Sequence, residues 1–336
     1  MTDFTPSTPP IHAGHDALDP GLLEDVVRGA ARLSPEQALR LLREMPLHEL
    51  GWWADRRCRE VHGDRLRTYV IDRNINYTNV CTAKCTFCAF RRDLDDQDAY
   101  TLEESVLLEK IEELVAIGGT QILMQGGMNP ELPLQWYLDL LHTIHERFPT
   151  VHVHAFSPPE FIEFVRFFDP PGATLREKIL HVMTRLQEAG LDSLPGGGGE
   201  IFAPAVRTKI GLGKCDAEAW LTTMHVAHEL GMNTSATMMF GHIEGLADRV
   251  HHLELVRAWQ DRAIADFGRD GGGRYKAFIS WPFQRENTPL GRAGEWDADR
   301  DGPFPGDVVA RLDGSGTKAD HASFGRLVRM AGASSY

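Results

Sequence analysis

The sequence predicts an α/β fold in which six βα units curl into a partial TIM-type barrel behind an N-terminal helical cap. Three observations predict it. Short apolar runs alternate with longer amphipathic ones from residue 68 onward. The amphipathic runs are long enough to be the crossover helices that parallel strands require, and such crossovers are right-handed. Glycine and proline gather just after several of the apolar runs, as they do in the loops that end barrel strands.

Taken in order, residues 1–20 are rich in Pro, Thr and His and read as a disordered tail. Residues 21–66 form the cap. There Ser34-Pro35-Glu36-Gln37 supplies an N-cap, a proline at the first helical position and a capping amide, and Leu39, Leu42 and Met45 follow at helical spacing. A second cap helix over 47–62 places Leu50, Trp53 and Ala54 on one face. The barrel core runs over 67–290. Strands are expected at 68–76, 121–125, 151–156, 191–194, 233–240 and 275–281, with helices at 103–117, 134–147, 175–189, 217–230 and 246–266. The loops at the strand ends are Gly126-Gly127, Ser157-Pro158-Pro159, Pro195 to Gly199, Gly241 and Pro282. Four successive glycines at 196–199 exceed what a turn needs and suggest backbone passing close to a ligand. Residues 291–336 read as a loop-rich extension with a short helix near 323–331, and no seventh or eighth strand is visible.

Composition excludes several classes. With 42% hydrophobic and 25% charged residues, the 336-residue chain is neither disordered nor fibrous. No apolar stretch is long enough to span a membrane. The N-terminus lacks a basic region followed by an apolar run, so a cytoplasmic protein is expected. A net charge of −13 opposes binding to nucleic acid. Five cysteines are too few for a disulfide scaffold, yet three of them, Cys81, Cys85 and Cys88, form C-x3-C-x2-C directly after the first expected strand. Thiolates in such a cluster are soft ligands for iron–sulfur clusters, copper(I) or zinc. A closed zinc site needs a fourth ligand, and Cys58 and Cys215 are distant in sequence. Three thiolates on a 4Fe-4S cluster would leave one iron open to a substrate or cofactor. Phe87 and Phe90 flank the last cysteine and could shield it.

The cysteine spacing resembles the radical S-adenosylmethionine superfamily. The resemblance implies a 4Fe-4S cluster held by Cys81, Cys85 and Cys88, with S-adenosylmethionine chelating the fourth iron and yielding a 5′-deoxyadenosyl radical. It implies that Gln125-Gly126-Gly127 meets the methionine amino group. It also implies that Glu200 lies on the ribose or carboxylate, against the plainer reading of a solvated glutamate at a helix N-terminus. Longer strings narrow the resemblance: IDRNINYTNVCTAKCTFCAFRR over 71–92, GGTQILMQGGMNPELPLQWY over 118–137, HAFSPPE over 154–160, GLDSLPGGGGEIF over 190–202, TSATMMFGHIE over 234–244 and FISWPFQRENTPL over 278–290. They are similar to the cyclic dehypoxanthine futalosine synthase family of menaquinone biosynthesis, whose relatives include aminofutalosine synthase and deazaflavin (FO) synthase.

That family implies a small-molecule substrate, dehypoxanthine futalosine, and an oxidative cyclisation. Hydrogen is abstracted from the 4′-carbon of the sugar, the sugar radical adds to the arene, and one electron and one proton are lost. His154 and His242 are candidate bases, because histidine titrates near neutral pH. Arg73 and Arg285 are candidates for the benzoate. Asn74, Asn76, Thr78, His154, Ser157, Thr237, His242 and Gln284 could meet sugar hydroxyls, while Met124, Met128, Met238, Met239 and Phe240 pack the barrel. The resemblance further implies an electron donor such as flavodoxin or ferredoxin. Family members continue past the point matching Tyr336, so the strands that close the barrel are expected to be missing. The competing readings are another radical enzyme on this scaffold and a non-catalytic iron–sulfur or zinc protein.

Overall fold

The computed structural model describes residues 19–63, 68–212 and 215–292. Almost all of the expected tail and C-terminal extension, with its short helix and the matter of closing strands, lies outside the described residues.

Three helices come first, where the spacing predicted two. In α1 (Pro20–Arg28) the Asp19 side chain accepts from the Gly21 amide, and Gly29 at φ 76° ends the helix. α2 (Pro35–Glu44) has the expected reciprocal cap between Ser34 and Gln37. Its fully buried residues are Ala38 and Leu41, with Leu39, Leu42 and Met45 packed at the margins of that face. α3 (Leu47–His62) buries Leu50 and Trp53.

The βα units follow. β1 (Asp72–Ile75) begins four residues later than expected, and Tyr69, Val70 and Ile71 ahead of it are exposed. Then come α4 (Glu104–Ala116), β2 (Gln121–Met124), α5 (Leu134–Arg147) and β3 (His152–Ala155). The next element, α6 (Pro158–Phe168), replaces an expected loop. Its prolines occupy the first turn, where amide hydrogens have no helical acceptor, so they start the helix rather than break it. After α7 (Leu175–Glu188), β4 (Ser193–Leu194) is only two residues long. Pro195 lacks the amide hydrogen that would continue it. A short unpredicted helix, α8 (Pro204–Lys209), precedes α9 (Ala217–Glu229) and β5 (Asn233–Phe240). The chain then runs through α10 (Leu246–Phe267), β6 (Tyr275–Pro282) and α11 (Pro289–Arg292). The cap docks on α10, where Arg32 pairs with Asp261 and Arg257 donates to the Leu33 carbonyl at 3.0 Å.

All six strands are parallel and pair in chain order, β1 to β6. Right-handed crossovers place the helices that link successive strands on one side and curl the sheet into a half-barrel. Alternation sorts the two faces. Ile75, Ile122, Met124, Val153 and Ala155 are buried beneath the helices. Asn74, Leu123, His154 and Ser193 share one register row on the opposite, concave face. Met124, Met238, Met239 and Phe240 are core residues, as expected, and Met128 is half-buried.

Candidate active site

The cysteine loop leaves the C-terminal end of β1 and is sewn down on both sides. Val80 bridges Arg92 in parallel, the Cys81 amide donates to the Arg92 carbonyl at 3.0 Å, and the Asn79 side chain spans the Asp98 and Tyr100 backbone. The Thr86 amide donates to the Ile210 carbonyl past α8, and the Thr86 carbonyl accepts from the Leu290 amide in α11. Segments far apart in sequence therefore clamp the stretch between Cys85 and Cys88.

The three thiols are half-buried and free. Burial pushes the Cys81 thiol up and the Cys85 thiol well up. Like charge on Cys81, Cys88 and Glu200 adds to the effect at Cys85, which shows that the three sulfurs and Glu200 share one neighbourhood. Among the described residues, no three His, Cys, Asp or Glu side chains gather around a single ion position. Cys58 lies on α3, and Cys215 is buried beside Arg207. Phe87 packs against the core, but Phe90 is exposed and turns to Tyr100, away from the shielding role expected of it.

Gln125-Gly126-Gly127 ends β2 directly beneath this loop. A Cβ on Gly127 would sit 2.1 Å from the Val80 carbonyl oxygen and 3.0 Å from the Cys81 Cβ, and one on Gly126 would enter the Tyr77 ring. Only glycine allows the strand end and the cysteine loop to come this close. The Gly126 amide is held by Glu160, which also accepts from the Tyr77 hydroxyl at 2.7 Å and from the Ser157 amide and hydroxyl. Glu160 is buried, and burial pushes its carboxyl up while those hydrogen bonds pull it down. One carboxylate thus joins the ends of β1 and β2 to the start of α6. The S-x-x-E capping pattern at 157–160 was its signal in the sequence.

Three of the four glycines in the run are required by packing against the protein itself. Cβ atoms on Gly196 and Gly199 would meet β5 backbone within 2.8 Å, and one on Gly198 would meet Pro159. Gly197 differs, because its neighbour at 2.4 Å is the end of the Gln125 side chain. Arg207, also buried, caps the Gly198, Gly199, Ile201 and Cys215 carbonyls; in the sequence it stands in the mixed run Val206-Arg207-Thr208-Lys209 with no motif to mark it. Glu200 corrects the plainer reading. It is buried, holds a left-handed φ of 40°, and precedes α8 by several residues. Oε1 accepts from the Gly198 amide at 3.1 Å, while Oε2 has no hydrogen-bond partner in the protein. Burial pushes the carboxyl up to about 7, against the pull of Arg207.

The remaining candidates separate. His154 lies on the concave face with Nδ1 2.7 Å from the Ser193 Oγ, and burial pushes the ring down to about 4, with His152 the second cause. His242 is fully buried between the Met239 carbonyl, Glu244 and Phe283, and burial pushes its ring down as well. Arg73 corrects the expectation of a benzoate partner, because it turns outward to α4, pairing with Glu113 and the Lys110 carbonyl. Thr78 and Ser157 spend their hydroxyls on Tyr100 and Glu160. Thr237 likewise donates its hydroxyl to the Gly196 carbonyl. Asn74, Gln284 and Arg285 stay on the concave face or in the loop after β6, and Asn76 lies just past β1.

A half-barrel of six parallel strands with a thiolate triplet after its first strand defines a radical S-adenosylmethionine enzyme, and the chain belongs to that superfamily: residues 75–256 match the family described as Radical SAM superfamily. The chain's nearer kin are particular enzymes. It is 40% identical over 270 residues to cyclic dehypoxanthine futalosine synthase of Halalkalibacterium halodurans, covering 80% of this chain and 68% of that one. It is 40% identical over 250 residues to FO synthase of Mycobacterium leprae, covering 74% of this chain and 27% of that one. A 5-amino-6-(D-ribitylamino)uracil–L-tyrosine 4-hydroxyphenyl transferase of Methanopyrus kandleri is 36% identical over 277 residues, with 82% and 67% covered. The solved methylornithine synthase PylB shares the fold at TM-score 0.61 and 15% identity, over 93% of this chain and 77% of that one. The enzyme's cofactors are a 4Fe-4S cluster and S-adenosylmethionine. The residues present fit them: a triplet of soft thiolates, a glycine strand end that backs the cysteine loop, and a buried carboxyl with a free oxygen. No helix among the described residues is long and apolar enough to cross a membrane.

Proposed function

We propose that the chain cyclises dehypoxanthine futalosine oxidatively, in the futalosine route to menaquinone. The observation that carries the reading is the cysteine loop laid over Gly126-Gly127 at the mouth of an open concave face, in a chain 40% identical to a cyclic dehypoxanthine futalosine synthase. When bound, the cluster and S-adenosylmethionine supply an adenosyl radical that takes one hydrogen atom from the sugar. Cys81, Cys85 and Cys88 would hold the cluster through their thiolates. The Gln125-Gly126-Gly127 strand end and the free oxygen of Glu200 receive the amino-acid and ribose parts of S-adenosylmethionine.

The concave face does the rest. Asn74 and Gln284 orient the sugar, and Arg285 pairs with the benzoate. Arg285 stands in the loop after β6, beside the α11 turn that clamps the cysteine loop. His154 is neutral at physiological pH and takes the proton that ring closure releases. A low-potential carrier such as flavodoxin or ferredoxin supplies electrons.

The second reading is an FO synthase-like reaction, favoured by an equal identity of 40% over 250 residues. Two anaerobic incubations of the cluster-loaded chain separate them, one with dehypoxanthine futalosine and one with 5-amino-6-(D-ribitylamino)uracil and tyrosine. A product with two hydrogens fewer than dehypoxanthine futalosine supports the first reading. Turnover only in the second mixture overturns it.

A further inference from the structure

We propose that His154, Ser193 and His152 form a relay that carries the proton lost in ring closure from the concave face to solvent at the N-terminal end of the sheet. This rests on the cyclisation reading above. Both imidazoles reach one hydroxyl: His154 Nδ1 lies 2.7 Å from the Ser193 Oγ and His152 Nε2 lies 2.6 Å from it. The placement follows from the register. His154 pairs with Ser193 across β3 and β4, and His152, two residues earlier on β3, points to the same face one row lower. Ser193 is buried, whereas the His152 side chain is 45% exposed with Nδ1 3.8 Å from the Asp192 Oδ2. Asp192 is fixed in turn by the Val153 amide at 2.7 Å.

A hydroxyl has one hydrogen and two lone pairs. Between two ring nitrogens it donates to one and accepts from the other, so the two histidines take opposite roles. That is the arrangement a relay needs, and a single bond would have sufficed to anchor either ring. The proton count closes. Ring closure removes a hydrogen atom from the sugar to the adenosyl radical, then an electron to an acceptor of the iron–sulfur class and a proton from the arene. His154 Nε2 accepts that proton, and its Nδ1 hydrogen passes to the Ser193 oxygen. The serine hydrogen passes to His152 Nε2, and the His152 Nδ1 hydrogen leaves to water beside Asp192. Each group ends with as many hydrogens as it began, with both tautomers reversed.

The test compares the loaded wild-type enzyme with Ser193→Ala and Ser193→Thr. Cyclised product per 5′-deoxyadenosine is one readout. Imidazole nitrogen shifts of histidine-labelled protein, which report the tautomers, are the other. The relay predicts that Ser193→Ala lowers product per 5′-deoxyadenosine by about tenfold or more. It also predicts that both rings change tautomer populations and that threonine restores both readouts. An unchanged ratio in Ser193→Ala overturns the relay, as does a fall that threonine fails to restore. If the wild-type enzyme makes 5′-deoxyadenosine but no cyclised product, the cyclisation reading itself falls, and the relay with it.

Discussion

At the scale of single residues, the chemistry rests on groups whose ordinary behaviour burial has altered. Cys81 and Cys85 keep their protons in the metal-free chain, so loading a cluster must displace them. Alanine at Cys81, Cys85 or Cys88 is expected to abolish the visible absorbance of the cluster and 5′-deoxyadenosine formation, whereas alanine at Cys58 or Cys215 leaves both, measured by iron content and product analysis. Glu200 gives a second prediction. Its folded-state carboxyl is raised from 4.5 to about 7 by burial, so the folded chain binds more protons than the unfolded one between those values. Stability contributed by the neutral acid is present below about pH 4.5 and is lost as pH rises through about 7. The metal-free Glu200→Gln variant is therefore expected to gain stability over the wild type by up to about 3 kcal/mol near pH 8 and little near pH 5, read by denaturant unfolding at both pH values. The cysteines could be read from the sequence because their spacing is itself the signal. Glu160 left only its capping pattern with Ser157 as a signal, and Arg207 left none, since nothing in a lone charged residue says that it will be buried and asked to gather several backbone carbonyls.

At the scale of elements, strands with full apolar runs were read well and those cut short by loop chemistry were not. The 233–240 strand and the 134–147 helix stand where the pattern put them. β4 shrank to two residues because Pro195 lacks the amide hydrogen that would continue the ladder, and α6 was hidden by prolines that belong to a helix start. The glycine run shows how packing divides residues that look identical in sequence. Gly196 abuts β5 backbone, which cannot yield, whereas Gly197 abuts the end of the Gln125 side chain, which can. Gly196→Ala is expected to cost about 2 kcal/mol or more, and Gly197→Ala well under 1 kcal/mol while weakening S-adenosylmethionine binding through displaced Gln125. Thermal unfolding and calorimetric titration of the two variants check this. Equal losses of stability would show that the run is one packed unit without a site-facing member.

At the scale of the whole molecule, the half-barrel brings together groups that the chain keeps far apart. The cysteine loop follows β1, its clamps come from the end of α8 and from α11, and Glu200 and His154 arrive from the middle of the sheet. The helices cover one face and leave the other for a ligand: the concave row carries the polar Asn74, His154 and Ser193 beside Leu123, while the covered row of Ile75, Met124 and Ala155 is wholly apolar. The central claim is that a radical made at the cysteine loop takes its hydrogen from a sugar held on that face. Dehypoxanthine futalosine deuterated at the 4′-carbon of its sugar tests this most directly, in an anaerobic incubation of the loaded enzyme with S-adenosylmethionine and reductant. The account predicts that mass spectrometry finds the deuterium in 5′-deoxyadenosine and a cyclised product that lacks it. Deuterium retained in the product, with unlabelled 5′-deoxyadenosine beside it, would contradict the account.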